Sequence, residues 1–409
     1  MKITKLDKYQ NNYCSLYVVS YINYKNSGGR LLLLDVDLHL FDLKVHGVTK
    51  RNRRCNTYIS KINNIHKKKQ RPGNSFLKKL GLLKVSDSLK KSKKGVFAIN
   101  GGFFLDYGSL DTSIFSPDSN QSFYGDPIGW LRIDGYDFSI PFLNRPILKI
   151  FQNNTFKISH TSIINNEVSI NKKTFFVKNE NLIKNSSSLE NFIKKNTDDI
   201  THYSFILITN NTIVSVSRNP SPIPSNSMVL VIKNNEPILT TIHSGDTIVF
   251  IDPDNALYCL TMGPTLLENG IYSTNRIWQK EDFGTYYYPK TLTRDLFRYH
   301  AARTGIFTTN SNNRLFLVVS ENNKTGYGEG LTLNEFAHLT VDVSDRLNLN
   351  FCNGYYLDGG SSSILCYKKS REVLKINCPS GISNPFVKGP KRGQESFVGI
   401  VVLIEQKYE

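Results

Sequence analysis

The sequence predicts an α+β fold: a mixed, mostly antiparallel β core with a few helices, organised as one catalytic domain that carries insertions. Three observations lead to it. Short apolar or alternating runs bounded by turn residues recur along most of the chain. Only one segment, 333–347, carries a clean helical stripe. No repeat period is evident.

Taken in order, 14–24 and 30–48 read as strands, the second opening on Leu31-Leu32-Leu33-Leu34, with Ser27-Gly28-Gly29 as the hairpin turn between them. Residues 50–94 form a Lys/Arg-rich insertion whose second half, 76–91, has a ragged helical pattern. Gly95-Val96-Phe97-Ala98-Ile99 is a buried strand ending in Asn100-Gly101-Gly102. After a polar loop at 105–127, strand character returns at 128–133 and 146–160. Residues 161–200, rich in Asn and Lys with weak periodicity, read as a second insertion. Strands follow at 203–216 and 228–233, parted by Pro220, Pro222 and Pro224, and again at 247–251 and 257–262. A loop rich in Tyr and charge (272–300) precedes a hairpin of 303–307 and 314–319. Thr332 and Glu335 make a capping box for the 333–347 helix, whose apolar stripe is Phe336, Leu339, Val343 and Leu347. A strand at 397–404 closes a domain spanning 14–405.

A hydrophobic content of 39% suits a packed core and excludes a disordered chain. Net charge is +17, and the excess is concentrated: Asp87 is the sole acidic residue in 50–94. That stretch is either a solvated insertion or a docking segment for an anionic partner such as nucleic acid or an anionic surface. The six cysteines are scattered, with no CxxC pair, so buried reduced thiols are expected, and neither a metal nor another cofactor. Residues 1–10 lack the apolar core of a signal peptide, and no run approaches the ~20 apolar residues of a membrane span. The expectation is a soluble protein, cytoplasmic or exported without a cleavable signal.

Common catalytic signatures are missing: there is no G-x-S-x-G elbow and no phosphate-binding GxxxxGK[ST] loop. Glu335 and His338 form a lone E-x-x-H pair, which suits a helix surface better than a di-iron centre. What remains is a set of loops at strand ends. Tyr355-Tyr356-Leu357 delivers Asp358 into Gly359-Gly360 and the hydroxyls of Ser361, Ser362 and Ser363. Glycines there let the backbone approach a ligand, and successive N–H groups can converge on an anion. By itself this is either a tight turn stabilised by Asp358 or an active-site corner. Arg303, entering a strand after Ala301-Ala302, is either a salt-bridge former or a fork for carboxylate or phosphate.

In order, AINGGFF (98–104), GPTLLENG (263–270), AARTGIF (301–307), GLTLNEFA (330–337) and LDGGSSS (357–363) resemble the phosphodiester glycosidase family. Cys378-Pro379-Ser380 and the opening strands at 17–48 extend the resemblance over most of the chain, with 50–94 and 161–200 divergent. It departs at Ser361, where the family commonly has a third glycine, and at Gly305-Ile306-Phe307. The resemblance implies a glycoside hydrolase that cleaves a sugar-1-phosphodiester or nucleotide sugar, N-acetylglucosamine being one sugar in question. It places Arg303 on the phosphate and makes Asp358 the nucleophile or base. Glu335 becomes a second carboxylate candidate alongside its capping role. Asn100, with the Gly101 and Gly102 backbone, would orient sugar hydroxyls, and Gly263, Thr304, Gly359, Gly360, Ser361 and Ser362 complete the substrate-binding set. The alternative is an inactive relative that binds nucleic acid, an anionic surface or a glycan.

Overall fold

The computed structural model describes residues 2–10, 14–22, 28–47, 82–104, 127–184, 186–223, 227–273, 275–282, 300–311, 313–321, 330–369, 371–377, 398 and 400–407. Most of the basic stretch, the loops at 105–126 and 283–299, and the Cys378-Pro379-Ser380 step lie outside the described residues, as does the side chain of Ser361.

Two sheets position the site. One has eight strands in the order Lys2–Gln10, Ser15–Ile22, Gly28–Asp37, Arg314–Ser320, Arg303–Thr308, Asn353–Tyr356, Thr265–Glu268 and Ile271–Tyr272. The other has five: Glu372–Asn377, Leu365–Lys369, Gly95–Asn100, Ile400–Gln406 and Phe41–Gly47. Three smaller sheets are built from 131–161 with 258–261, from 166–177 with 248–250, and from 182–233. Every strand pairing among the described residues is antiparallel. The mixed α+β expectation therefore narrows to a mostly antiparallel β fold.

The leucine run explains the layering. Neighbouring strand residues face opposite sides. Leu31 and Leu33 pack with Phe316, Val318 and, from the Leu333–Arg346 helix, Phe336, Leu339 and Val343. Leu32 and Leu34 pack on the other side with Leu43, Val45, Ile99, Ile306 and Val402. A strand covered on both faces reads as an unbroken apolar run, and each buried leucine contributes roughly 2 kcal/mol.

Several expectations are corrected. The single strand read over 30–48 is two, Gly28–Asp37 and Phe41–Gly47, which belong to different sheets. The apolar alternation runs through the break, so only the turn reveals it: the Asp37 carboxylate accepts from His39 N (2.9 Å), and Asn154 Nδ2 donates to Leu38 O (2.9 Å). The segment at 161–200, read as an insertion with weak periodicity, has regular structure. It holds the Asn166–Ile170 and Lys173–Val177 strands and the Ser186–Lys195 helix, anchored by buried Val168, Ile170, Val177 and Leu189. Its polar outer faces dilute the period that a sequence pattern needs. Residues Lys2–Gln10, read only as polar, form the edge strand of the large sheet.

Charge is also buried. Arg132 bonds Asp137 (2.7 Å) and Asp252 (3.2 Å), and Lys149, 1% exposed, bonds Asp252 (2.8 Å) and Asp254 (2.7 Å). Both cations lie near the Trp130 ring, at 4.8 and 5.4 Å from its centroid. Burial pulls the Lys149 pKa down, but its bonds to the two aspartates outweigh that and hold it above the usual lysine value. Among the described residues no helix is long and apolar enough to cross a membrane.

Candidate active site

Three chain corners meet at one end of the two sheets: residues 100–102, 302–304 and 357–360. Backbone pairing brings them together. Leu357 N donates to Thr304 O (2.8 Å), Gly360 N to Ala302 O (2.8 Å) and Asp358 N to Gly101 O (3.1 Å). Asn100, 0% exposed, is the knot between them. Its Nδ2 donates to Asp358 O (2.6 Å), while its Oδ1 accepts from Thr304 Oγ1 (3.0 Å) and Ile364 N (3.1 Å). The sequence reading put this carboxamide on sugar hydroxyls; in the folded chain it bonds three protein groups and ties the Asp358 backbone to Thr304.

Asp358 itself is half-buried, and its Oδ1 accepts from Gly359 N at 2.9 Å, which orients the carboxylate within the turn. Gly359 is required by close approach: a Cβ there would stand 1.7 Å from the Tyr356 hydroxyl. Gly360 supplies the left-handed angle of the turn (φ 63°). The departure at Ser361 therefore falls inside the Gly360–Ser362 3-10 turn, one residue past the position that needs glycine. Ser362 is buried, and the Ser363 hydroxyl is buried with no hydrogen-bond partner among the described residues. Gly102 packs against the Thr261 carbonyl, and Gly263 N donates to Tyr356 O (2.7 Å), behind the turn.

Arg303 is 2% exposed. Its Nε donates to Leu331 O (2.8 Å) and its Nη1 to the Tyr356 hydroxyl (3.0 Å), with the guanidinium carbon 5.5 Å from the Tyr356 ring centroid. Those two bonds set the plane of the fork. Leu331 in turn pairs with Ala301 in both directions and leads into the Thr332–Glu335 cap. The capping box is formed as expected: Thr332 N donates to Glu335 Oε2 (2.8 Å) and Glu335 N to Thr332 Oγ1 (3.1 Å). The same Oε2 lies 3.2 Å from His300 Nε2, with both side chains 12% exposed.

The geometry thus joins Asn100, Gly101, Arg303, Thr304, Asp358, Gly359 and Gly360 directly, and connects Glu335 through Leu331. Sequence reasoning passed over Tyr356 and His300. Tyr356 had a readable signal: Tyr355 and Leu357 face one core and Tyr356 the other, as period two requires. His300 had none. Among the described residues no three His, Cys, Asp or Glu side chains converge to hold a metal ion.

A family model described as phosphodiester glycosidase matches residues 149–392, a span that includes Gly263, Arg303, Glu335 and Asp358. No curated protein matches the chain. Among solved structures, a hypothetical protein from Synechocystis is similar with TM-score 0.53 and 14% identity, over 99% of this chain and 64% of that one. This chain therefore spans less than two thirds of that protein's length. The zebrafish N-acetylglucosamine-1-phosphodiester alpha-N-acetylglucosaminidase catalytic domain, auto-inhibited by its pro-peptide, has TM-score 0.47 and 13% identity over 99% of this chain and 88% of that one. A putative exported protein from Burkholderia pseudomallei has TM-score 0.48 and 13% identity over 93% and 74%. At such identities a structural likeness speaks for the fold alone, and the first of these carries that argument.

Proposed function

The chain belongs to the phosphodiester glycosidase family, and on that premise we propose that it hydrolyses the C1–O bond of a sugar-1-phosphodiester, with Arg303 and Asp358 as its principal residues. The observation that carries this reading is the junction of their two strand ends: Leu357 N–H bonds Thr304 O, so a carboxylate and a fixed guanidinium stand on adjacent chain corners. In the reaction, the C1–O bond breaks and its electron pair leaves on the phosphate oxygen, while water supplies the new C1–OH. A phosphomonoester is already a stable anion on leaving, so the step needs a cation more than a proton donor. Arg303 supplies the cation. Asp358 faces the oxocarbenium-like centre as nucleophile if configuration is retained, or as water-activating base if it is inverted. Glu335 is the second carboxylate, oriented by its own cap and by His300.

Sugar-1-phosphodiesters, including N-acetylglucosamine derivatives, and nucleotide sugars are the substrates to screen, with products identified by mass. Asp358→Asn should abolish sugar release while leaving the circular dichroism spectrum and unfolding midpoint near those of the parent. Turnover retained in that folded variant would refute the assignment of Asp358.

A further inference from the structure

Tyr356 lies in the opening motif of the site but has no role in the reaction as outlined above. Its side chain is 1% exposed, packed in the core that also holds Phe103 and Phe336, and it ends in a polar group. Its hydroxyl accepts from Arg303 Nη1 at 3.0 Å, and its ring lies beside the same guanidinium, 5.5 Å away. On its other side the hydroxyl occupies the space where a side chain at position 359 would begin, 1.7 Å from that virtual Cβ. The phenol therefore stands between Arg303 and the turn that carries Asp358. A hydroxyl that accepts one bond still has its own proton to donate. Burial pushes this phenol above its usual pKa, with Asp358 adding to the shift and Arg303 opposing it, so the group stays a neutral donor across the neutral range.

We propose that Tyr356 is a positioning residue of an anion site: it fixes the Arg303 fork by accepting from Nη1 and turns its own O–H toward an oxygen of the bound phosphate. No proton is transferred; the phenol contributes a hydrogen bond, in a site withdrawn from water where such a bond is stronger. Gly359 is then explained by what it leaves room for. The inference rests on the phosphodiester reading for the identity of the ligand, but its test uses inorganic phosphate and so does not depend on turnover. The competing account is purely structural, with Arg303 and Tyr356 pinning strand ends and meeting no ligand.

The test is calorimetric titration of inorganic phosphate into the full chain and into Tyr356→Phe, Gly359→Ala, Arg303→Lys and the Tyr356→Phe/Arg303→Lys double variant, with an unfolding curve for each. Tyr356→Phe keeps the ring and removes only the hydroxyl, and should weaken phosphate binding about 10-fold or more, the usual scale for a bond to a charged group. Gly359→Ala keeps the hydroxyl but displaces it, and should weaken binding similarly. In the double variant the losses should be strongly non-additive, since each change breaks the same pair. Phosphate bound by folded Tyr356→Phe within 2-fold of the parent, multiplicative losses in the double variant, or no phosphate binding by the parent would each overturn the proposal. Phosphate binding that depends on Tyr356 in a chain that hydrolyses no phosphodiester would support it while refuting the proposed activity.

Discussion

Replacing Asn100 by alanine separates two roles for one residue. The side chain is fully buried and makes bonds to three partners: Asp358 O, Thr304 Oγ1 and Ile364 N. Alanine strands the N–H of Ile364, a residue 2% exposed. A buried unpaired donor costs ~1–3 kcal/mol, and each lost hydrogen bond adds ~1 kcal/mol net, although the Thr304 hydroxyl can rotate to another acceptor. The sum is about 2–5 kcal/mol of stability, read as a lowered urea midpoint with an unchanged slope. Asn100→Asp keeps the acceptor oxygen but sets a carboxylate oxygen against the Asp358 carbonyl in a buried place, and should lose at least as much as alanine. Activity should fall in both variants mainly through kcat, because Asp358 loses its anchor. If Asn100 instead holds a sugar hydroxyl, KM rises and the unfolding curve is unmoved. A parent-like midpoint in Asn100→Ala, within about 0.5 kcal/mol, would refute the anchoring argument.

Three further outcomes are expected. Asp252→Ala leaves Arg132 and Lys149 each without a carboxylate they now share, and breaking a buried ion pair from one side costs ~3–5 kcal/mol; chemical unfolding measures it, and a loss below about 1 kcal/mol would contradict the burial of this network. The Asp254 carboxylate is held below its ordinary pKa by hydrogen bonds from Lys149 and Lys157, so its contribution is present above about pH 4, its unfolded value, and is lost as pH falls through the lower folded value. Asp254→Asn should therefore flatten the acid limb of the stability profile, and urea midpoints from acid to neutral pH test this. Finally, Lys90, Lys91, Lys93 and Lys94 lie at the start of the Gly95–Asn100 strand, near the Leu365–Lys369 hairpin where Lys368 Nζ bonds Ser92 O, whereas Asn100 stands at the far end, about 17 Å away at 3.3 Å per residue. Exchanging the four for glutamine should lower the salt needed to elute the protein from heparin and leave hydrolysis within about 2-fold; unchanged elution would remove this end of the basic segment from any anionic contact.

What the sequence determined by itself is local. The capping box of Thr332 and Glu335, the apolar leucine strand, the 303–307 and 314–319 hairpin and the glycine turn after Asp358 are all legible from residues close together in the chain. The order of the glycine-bearing loops named the family for the same reason: such motifs are short and contiguous. The tertiary structure decided what each polar side chain is for. Asn100 meets Asp358 across 258 positions and Thr304 across 204, so nothing near Asn100 signals these partners. Tyr356 looks like one more apolar strand residue until the Arg303 strand pairs beside it and its hydroxyl meets the guanidinium. Lys149 and Arg132 look like surface charges until the 252–254 carboxylates fold over them. A hydrophobic pattern tells which face of an element is buried, because each apolar side chain gains by leaving water whatever its partner. The role of a buried polar group depends on its partner, and the partner is chosen by topology.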